Sequence, residues 1–248
     1  MKISIITATY NSAATVRATL ECIRGQEHPD IEHIIMDGQS TDDTLAIAAG
    51  FPHIAKIISE KDAGIYDAMN KGIAVATGEV IGILNSDDIY PDAAVLSLIA
   101  QVFADPAVKT AYADLQYVQQ HDLSKVIRTW RSGPFSKKNF YYGWMPPHPT
   151  FFVRKEVYDQ VGFFDISLRS AADYELMLRI LLKYQLPAHY IPRVLVKMRA
   201  GGMSNASIWN RLRANKEDRL AWKMNGLQPN FFTLYMKPLR KIPQFIIR

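Results

Sequence analysis

Carboxylates fall at regular places in the first hundred residues. Asp37 closes the apolar run His33-Ile34-Ile35-Met36, Asp62 follows the run from Ile54 to Ser59, and the adjacent Asp87 and Asp88 follow Val80 to Leu84. If these runs are parallel strands, three strand ends bring four carboxylates to one edge, where like charges repel unless a cation or hydrogen-bond donors compensate. Cys22 is the one cysteine and no histidine pair accompanies the acids. An all-oxygen set suits Mg²⁺ or Mn²⁺ held through one or two carboxylates and completed by substrate phosphates. Each aspartate alone reads as a turn former or cap; the adjacent pair, arranged with the others, favours the cation.

The elements that must position these acids alternate two periodicities. Ile3 to Thr7 reads as a short buried strand, His33 to Asp37 as a second, Ile54 to Ser59 is strand-like, and the apolar run Val80 to Leu84 completes the series. Between them fall helices from Ser12 to Gly25, from Thr41 to Ala49 with Ser40 and Asp43 as a capping box, and one carrying Ile65, Ala68, Met69, Ile73 and Ala76 at helical spacing. Such alternation implies right-handed crossovers and a mostly parallel α/β sheet flanked by helices, with ligands at the carboxyl ends of the strands. A helix opened by Pro91 and Asp92 leads into a less regular half. There Val108 to Leu115, Val126 to Trp130, Thr150 to Arg154 and Tyr190 to Lys197 read as strands, and Ala172 to Tyr184 as a helix. Residues 133–149 hold four prolines and read as a long functional loop.

The chain has 248 residues, 48% of them hydrophobic, and a net charge of +5, an ordinary globular composition that excludes disordered and collagenous classes. One cysteine excludes an intramolecular disulfide and a cysteine-rich zinc site and fits a reducing compartment. The N-terminus lacks the apolar region of a secretory signal, and no apolar run approaches the roughly 20 residues of a membrane span. A cytoplasmic protein is expected. From Trp209 to Arg248 nine Lys or Arg stand against two acidic residues, so all of the basic excess lies in this tail. Its last stretch interleaves Lys237, Arg240, Lys241 and Arg248 with Phe231, Phe232, Tyr235, Leu239, Phe245 and Ile246. Basic heads on an apolar body suit an anionic membrane surface; packing back on the core and an oligomer interface are the other readings. Pro238 and Pro243 predict short helical pieces. Nucleic acid is not an expected partner, because no basic stripe accompanies a reading motif. The expected division is residues 1–207 and a helical, basic amphipathic extension over 208–248.

The ordered segments Ser4 to Asn11 (SIITATYN), Met36 to Asp42 (MDGQSTD), Asp62 to Gly72 (DAGIYDAMNKG), Asn85 to Asp88 (NSDD) and Ala171 to Leu176 (AADYEL) resemble family 2 glycosyltransferases of the GT-A fold, nearest the bacterial polysaccharide and O-antigen type. The resemblance spans about residues 1 to 200. It implies an inverting transfer from a nucleotide-diphosphate sugar to a glycan hydroxyl, with a polyprenyl-diphosphate-linked acceptor at the cytoplasmic face of the membrane if the tail binds lipid. By position it implies that Thr7, Thr9, Tyr10, Asp37 and Asp62 line the base and ribose pocket. Asp88 would be the metal ligand, with Asp87 nearer the ribose or donor sugar, and Asp173 the catalytic base. Ala8, Asn85 and Ala172 stand where the family commonly has Pro, Asp and Glu. Taken alone, Asp173 reads as a helix N-terminal aspartate favoured by the helix dipole.

Further candidates are His148 for donor or acceptor, Lys71 and Arg199 for the diphosphate, and Gly201 to Ser204 as a lid. Trp130, Tyr141, Tyr142 and Trp144 are a candidate sugar platform, with core packing as the alternative. Two other functions compete. A sugar-phosphate nucleotidyltransferase would need a glycine-rich basic loop after the first strand, where Thr9-Tyr10-Asn11-Ser12 stands instead. An inactive nucleotide-sugar-binding or scaffold module would have no chemical need of Asp87, Asp88 and Asp173 together.

Overall fold

The computed structural model describes residues 1–201, 208–240 and 244. Four strands, β1 (Ile3–Thr9), β2 (Ile31–Asp37), β3 (Ile54–Ser59) and β4 (Val80–Ile83), alternate with α1 (Val16–Arg24), α2 (Thr44–Ala49) and α3 (Ile65–Val75). They pair in parallel in the order β3-β2-β1-β4. Then follow α4 (Val95–Val102), β5 (Thr110–Val118), β6 (Val126–Trp130), α5 (Lys137–Tyr141), β7 (Phe152–Arg154), α6 (Lys155–Val161), α7 (Ala172–Leu178), β8 (Ala188–Arg199), α8 (Ile208–Met224) and α9 (Thr233–Leu239).

The sheet is mixed beyond β4. Strand β7 enters between β4 and β5 antiparallel to both, because the segment before it returns as a loop and not as a helical crossover. Strand β8 pairs parallel to β5 along one edge, and β6 pairs antiparallel to the last residues of the other. Parallel pairings remain the majority, as the sequence pattern implies.

Alternation along β1 sends Ile3 and Ile5 to one face and Ile6 and Ala8 to the other. The first face packs on Ile23 of α1 and on Leu96 and Ile99 of α4; the second packs on Ala68, Met69 and Ile73 of α3 and on α6 and α7. The helices thus cover both faces and leave the strand ends open.

Several boundaries shift for local reasons. The expected Ser40–Asp43 capping box does not form: the Ser40 hydroxyl goes to Asp37 at 2.5 Å, and α2 starts only at Thr44 without a side-chain cap. Residues 12–15 form a turn in which Thr15 and Val16 both donate to the Ser12 carbonyl, so α1 begins later than its apolar spacing suggests. The 172–184 helix changes character at Arg179, where a π turn bonds Tyr184 N back to the Arg179 carbonyl at 2.9 Å. The C-terminal extension belongs to the same core. Trp222 of α8 is fully buried and donates to Tyr174 Oη at 3.0 Å, and Leu234 of α9 joins the same apolar cluster. Among the described residues no helix is long and apolar enough to cross a membrane.

Candidate active site

The loops after β1 and β2 are sewn into one wall. Asp37, at the end of β2, accepts from Thr9 Oγ1 at 2.9 Å, Ser40 Oγ at 2.5 Å, Ser40 N at 2.9 Å and Ser59 Oγ at 2.7 Å. Burial alone would raise its carboxyl pKa, and these donors together bring it below the usual value. Asn11 and Ser12 donate their amides to Ser40 and Thr44, and Asn11 Oδ1 receives the Thr41 amide at 2.9 Å. Asn11 and Gln39 hold positive φ values of 47° and 61°, a conformation non-glycine residues seldom adopt and one that clusters at ligand sites.

Over this wall lies Asp62. Its Oδ1 accepts the Gly64 amide at 2.9 Å, and its Oδ2 sits 2.5 Å from where a Cβ on Gly38 would stand, with the Tyr10 ring 3.5 Å away on the same side. Tyr10 is 67% exposed, so a flat ligand has one aromatic face and one carboxylate edge available beside Gly38. Gly38→Ala is therefore expected to push Asp62 out of place and weaken nucleotide affinity about tenfold, on the order of 1.4 kcal/mol, with little change in thermal stability. Unchanged affinity by calorimetry would remove Asp62 from the pocket.

A second group stands at the end of β4. Ser86 Oγ lies 2.9 Å from Ser12 Oγ, which ties this loop to the first wall. Asp88 is fully buried: Asn85 Nδ2 donates to its Oδ2 at 2.9 Å, while its Oδ1 has no partner. Asn85 Oδ1 and Arg199 Nε are likewise buried without a partner. Strand β8 crosses this loop through the Ile89–Lys197 bridge and so brings Arg199 to the acids. Burial raises both carboxyl pKa values, that of Asp88 well above the usual range with the Asp87 charge adding to it, while the Arg199 charge opposes the shift in both. Buried polar atoms are nearly always paired, so the open Asp88 oxygen and the two orphans near it mark a place suited to a ligand. They fit a divalent cation whose shell a diphosphate completes. Among the described residues no three His, Cys, Asp or Glu side chains form a ligand set. Asp87 is only partly buried, and no other described residue donates to its carboxylate, which makes it the more open of the two.

The third group surrounds Asp173 in the first turn of α7. Tyr66 Oη, from the first turn of α3, donates to Asp173 Oδ1 at 3.1 Å. Burial raises the Tyr66 pKa, the Asp173 charge raises it further, and the phenol stays a donor. The Tyr66 ring packs on Phe164 at 5.5 Å, and Phe164 meets the edge of His148 at 5.5 Å. Burial lowers the His148 pKa and the Asp173 charge opposes that shift, which places a neutral imidazole beside the carboxylate. Burial raises the Tyr117 pKa, the Arg128 charge opposes that rise, and the charges of both Asp88 and Asp173 add to it. The Arg128 guanidinium covers its ring at 3.7 Å.

The structure therefore gathers Thr9, Tyr10, Asp62, Asp87, Asp88, His148, Asp173 and Arg199 along the strand ends and separates others. Thr7 is fully buried and bonded to His33 Nε2 at 3.1 Å, so its side chain does not reach the pocket; burial holds the His33 pKa down at about 3 and keeps that ring neutral. Asp37 builds the wall from within, with both oxygens already engaged. Lys71 is not available to a diphosphate, because it bonds Glu60 at 2.9 Å, Asp67 at 3.3 Å and the Lys61 carbonyl at 2.8 Å. The four aromatics do not make one platform. Trp130 is half-buried and Trp144 buried, the two lining one cavity away from the strand-end acids, while Tyr141 packs on Trp222 at 5.0 Å and Tyr142 stands 57% exposed. Cys22 lies within α1, its thiol pushed up to about 12 by burial. Residues 202–204 of the expected lid lie outside the described residues. Tyr66, Tyr117 and Arg128 were missed as site residues: an aromatic three positions after Ala63 or an Arg opposite a Tyr carries no chemical signal until register is known.

Residues 4–162 match the family model for glycosyl transferase family 2. The chain is 34% identical over 185 residues to an uncharacterised glycosyltransferase of Mycobacterium tuberculosis, covering 73% of this chain and 69% of that one. Its fold is similar to the crystal structure of S. aureus TarS in complex with UDP, with a TM-score of 0.70, 18% identity and coverage of 98% and 72% of the two chains. It is also similar to the mannosyltransferase PcManGT of Pyrobaculum calidifontis in complex with GDP-Man and Mn²⁺, with a TM-score of 0.66, 19% identity and coverage of 95% and 68%. Sheet order, strand-end acids and matched residues agree: the chain belongs to glycosyl transferase family 2 and is a glycosyltransferase of the GT-A fold.

Proposed function

We propose that this glycosyltransferase is inverting and metal-dependent, and that it moves a sugar from a nucleotide-diphosphate donor to a hydroxyl of a lipid-linked glycan during surface polysaccharide synthesis, of lipopolysaccharide type. The observation that carries the reading is the division of labour between two acid centres. One, at the end of β4, has orphaned polar atoms and an arginine; the other, Asp173, stands apart at the head of α7 with a tyrosine donor.

The base and ribose lie against Tyr10, Gly38 and the Asp62 carboxylate, on the wall that Asp37 holds. Asp87 and Asp88 would hold Mn²⁺ or Mg²⁺, and the ion would offset charge on the departing diphosphate. Arg199 contributes positive charge to the same group. Asp173 accepts the proton of the acceptor hydroxyl as that oxygen bonds to the anomeric carbon, and the bond from that carbon to the diphosphate oxygen breaks on the opposite face. Tyr66 fixes one carboxylate oxygen of Asp173 and leaves the other for the proton. The UDP and the GDP-Man with Mn²⁺ in the two similar structures support this reading of the donor side. On the acceptor side, Phe231, Phe232, Tyr235 and Leu239 are exposed by 78, 65, 52 and 52% in the basic extension, an apolar surface suited to the inner face of the cytoplasmic membrane.

Calorimetric titration with UDP, GDP and dTDP, with and without Mn²⁺, tests the donor side. One nucleotide is expected to bind in a metal-dependent manner, and Asp87→Ala to weaken that binding at least about tenfold. Tight binding that ignores both Mn²⁺ and the substitution would overturn the metal assignment.

A further inference from the structure

A cavity of about 290 Å³ lies between the end of β6, the turn after α5 and α9. That volume is at the lower end of small-molecule sites. Its lining includes Trp130, Arg131, Trp144, Lys237, Arg240 and Gln244. Lys237 is committed elsewhere: its ammonium bonds both oxygens of Asp218 at 2.8 Å and lies 3.7 Å from the centre of the Tyr174 ring. Arg131 and Arg240 are exposed, and neither has an ion-pair partner among the described residues. The cavity thus offers two exposed arginines beside indole surface, which suits an anion of phosphate geometry attached to an apolar or sugar body.

Helix α9 connects this cavity to two other places. Lys237 and Arg240, three apart, share the side that lines the cavity, while Phe231, Phe232, Tyr235 and Leu239 stand exposed, with Phe231 5.2 Å from Phe232 and 5.8 Å from Tyr235. The Lys237 contacts fasten the same helix to Tyr174, the residue after Asp173. Gly143 makes the fit possible: it has φ +75°, and a Cβ there would stand 2.4 Å from Lys237 N.

We infer that this cavity binds the diphosphate of the lipid-linked acceptor, and that α9 rests its aromatic side on the bilayer from which the acceptor extends. The inference rests on the transferase reading above and adds the site at which its acceptor is held. One element would then contact the lipid surface, receive the acceptor's charge and set its distance from the base.

The test is quenching of tryptophan fluorescence in the full chain, with farnesyl diphosphate, farnesol and inorganic pyrophosphate as probes. Farnesyl diphosphate is expected to bind saturably, pyrophosphate to compete more weakly, and farnesol to bind at least tenfold more weakly. Arg131→Ala combined with Arg240→Ala should weaken farnesyl diphosphate at least tenfold, and the paired Lys substitutions should recover part of the loss. Both positions are exposed, and circular dichroism checks that the variants fold. Unchanged affinity in the double Ala variant, or farnesol binding as well as its diphosphate, would overturn the inference. Pyrophosphate binding as tightly as farnesyl diphosphate would overturn its lipid component. The Mn²⁺-dependent nucleotide titration on the same samples separates the two claims: its failure alongside intact farnesyl diphosphate binding sinks the donor reading and leaves the cavity assignment standing.

Discussion

Asp173→Asn is expected to slow sugar transfer by about 10²- to 10⁴-fold, the usual worth of a positioned general base, with nucleotide affinity unchanged. The amide keeps the shape of the side chain and its oxygen still accepts from Tyr66 Oη, which stands 3.1 Å from Oδ1 in the native protein. What it loses is the oxygen that takes the proton. Because Asp87, Asp88 and Arg199 form a separate centre, the donor should bind as before, so the loss falls on kcat and not on nucleotide Kd. Tyr66→Phe should cost less, since the carboxylate remains and only its orientation loosens. An Asp173→Asn enzyme with near-native kcat would assign the base elsewhere.

Arg179→Ala should produce the largest loss of stability. Arg179 donates to Glu175 through Nε at 3.0 Å and Nη2 at 2.5 Å, and to the carbonyls of Val161 and Phe163 at 2.8 Å each. Glu175 is 3% exposed and also accepts from Asn225 Nδ2 at 3.0 Å. Removing the guanidinium leaves a buried carboxylate and two carbonyls short of donors, a defect that typically costs about 3–5 kcal/mol. For a chain of this size that corresponds to a fall in Tm on the order of 10 °C. The pair joins α7 to the residue after α8 and to the loop after α6, so the damage should also reach Asp173, two residues before Glu175. Urea unfolding would check it; a loss below about 1 kcal/mol would mean the pair behaves like a surface salt bridge.

The strand ends were legible because β1, β2 and β4 are buried on both faces, and such strands show up as plain apolar runs closed by polar residues. Asp37, Asp87 and Asp88 follow from that pattern, whereas Asp62 follows β3, whose residues alternate between half-buried and exposed. Their division of roles does not, because hydrogen bonding decides it: Ser40 and Ser59 saturate Asp37, whereas Asp88 keeps an unpaired oxygen. The commitment of Lys71 is hidden in the sequence for a similar reason. On a helix it can reach Asp67 four residues back as easily as a ligand, and Glu60 settles the choice. The register of β5 against β6, which sets Tyr117 opposite Arg128, depends on pairing across the sheet and leaves no local periodicity to read. The extension reads as basic and amphipathic, yet Trp222 and Leu234 anchor it in the core through contacts with residues far away in the sequence.

In the proposed function the two acid centres together run an inverting, metal-dependent transfer. The most direct measurement follows the slow cleavage of an α-linked nucleotide sugar by water with proton NMR, using the nucleotide that binds in the titration. The β-anomer of the free sugar is expected to appear first, only with Mn²⁺ or Mg²⁺, and not with Asp173→Asn. Initial release of the α-anomer, or cleavage at the same rate without metal, would contradict it.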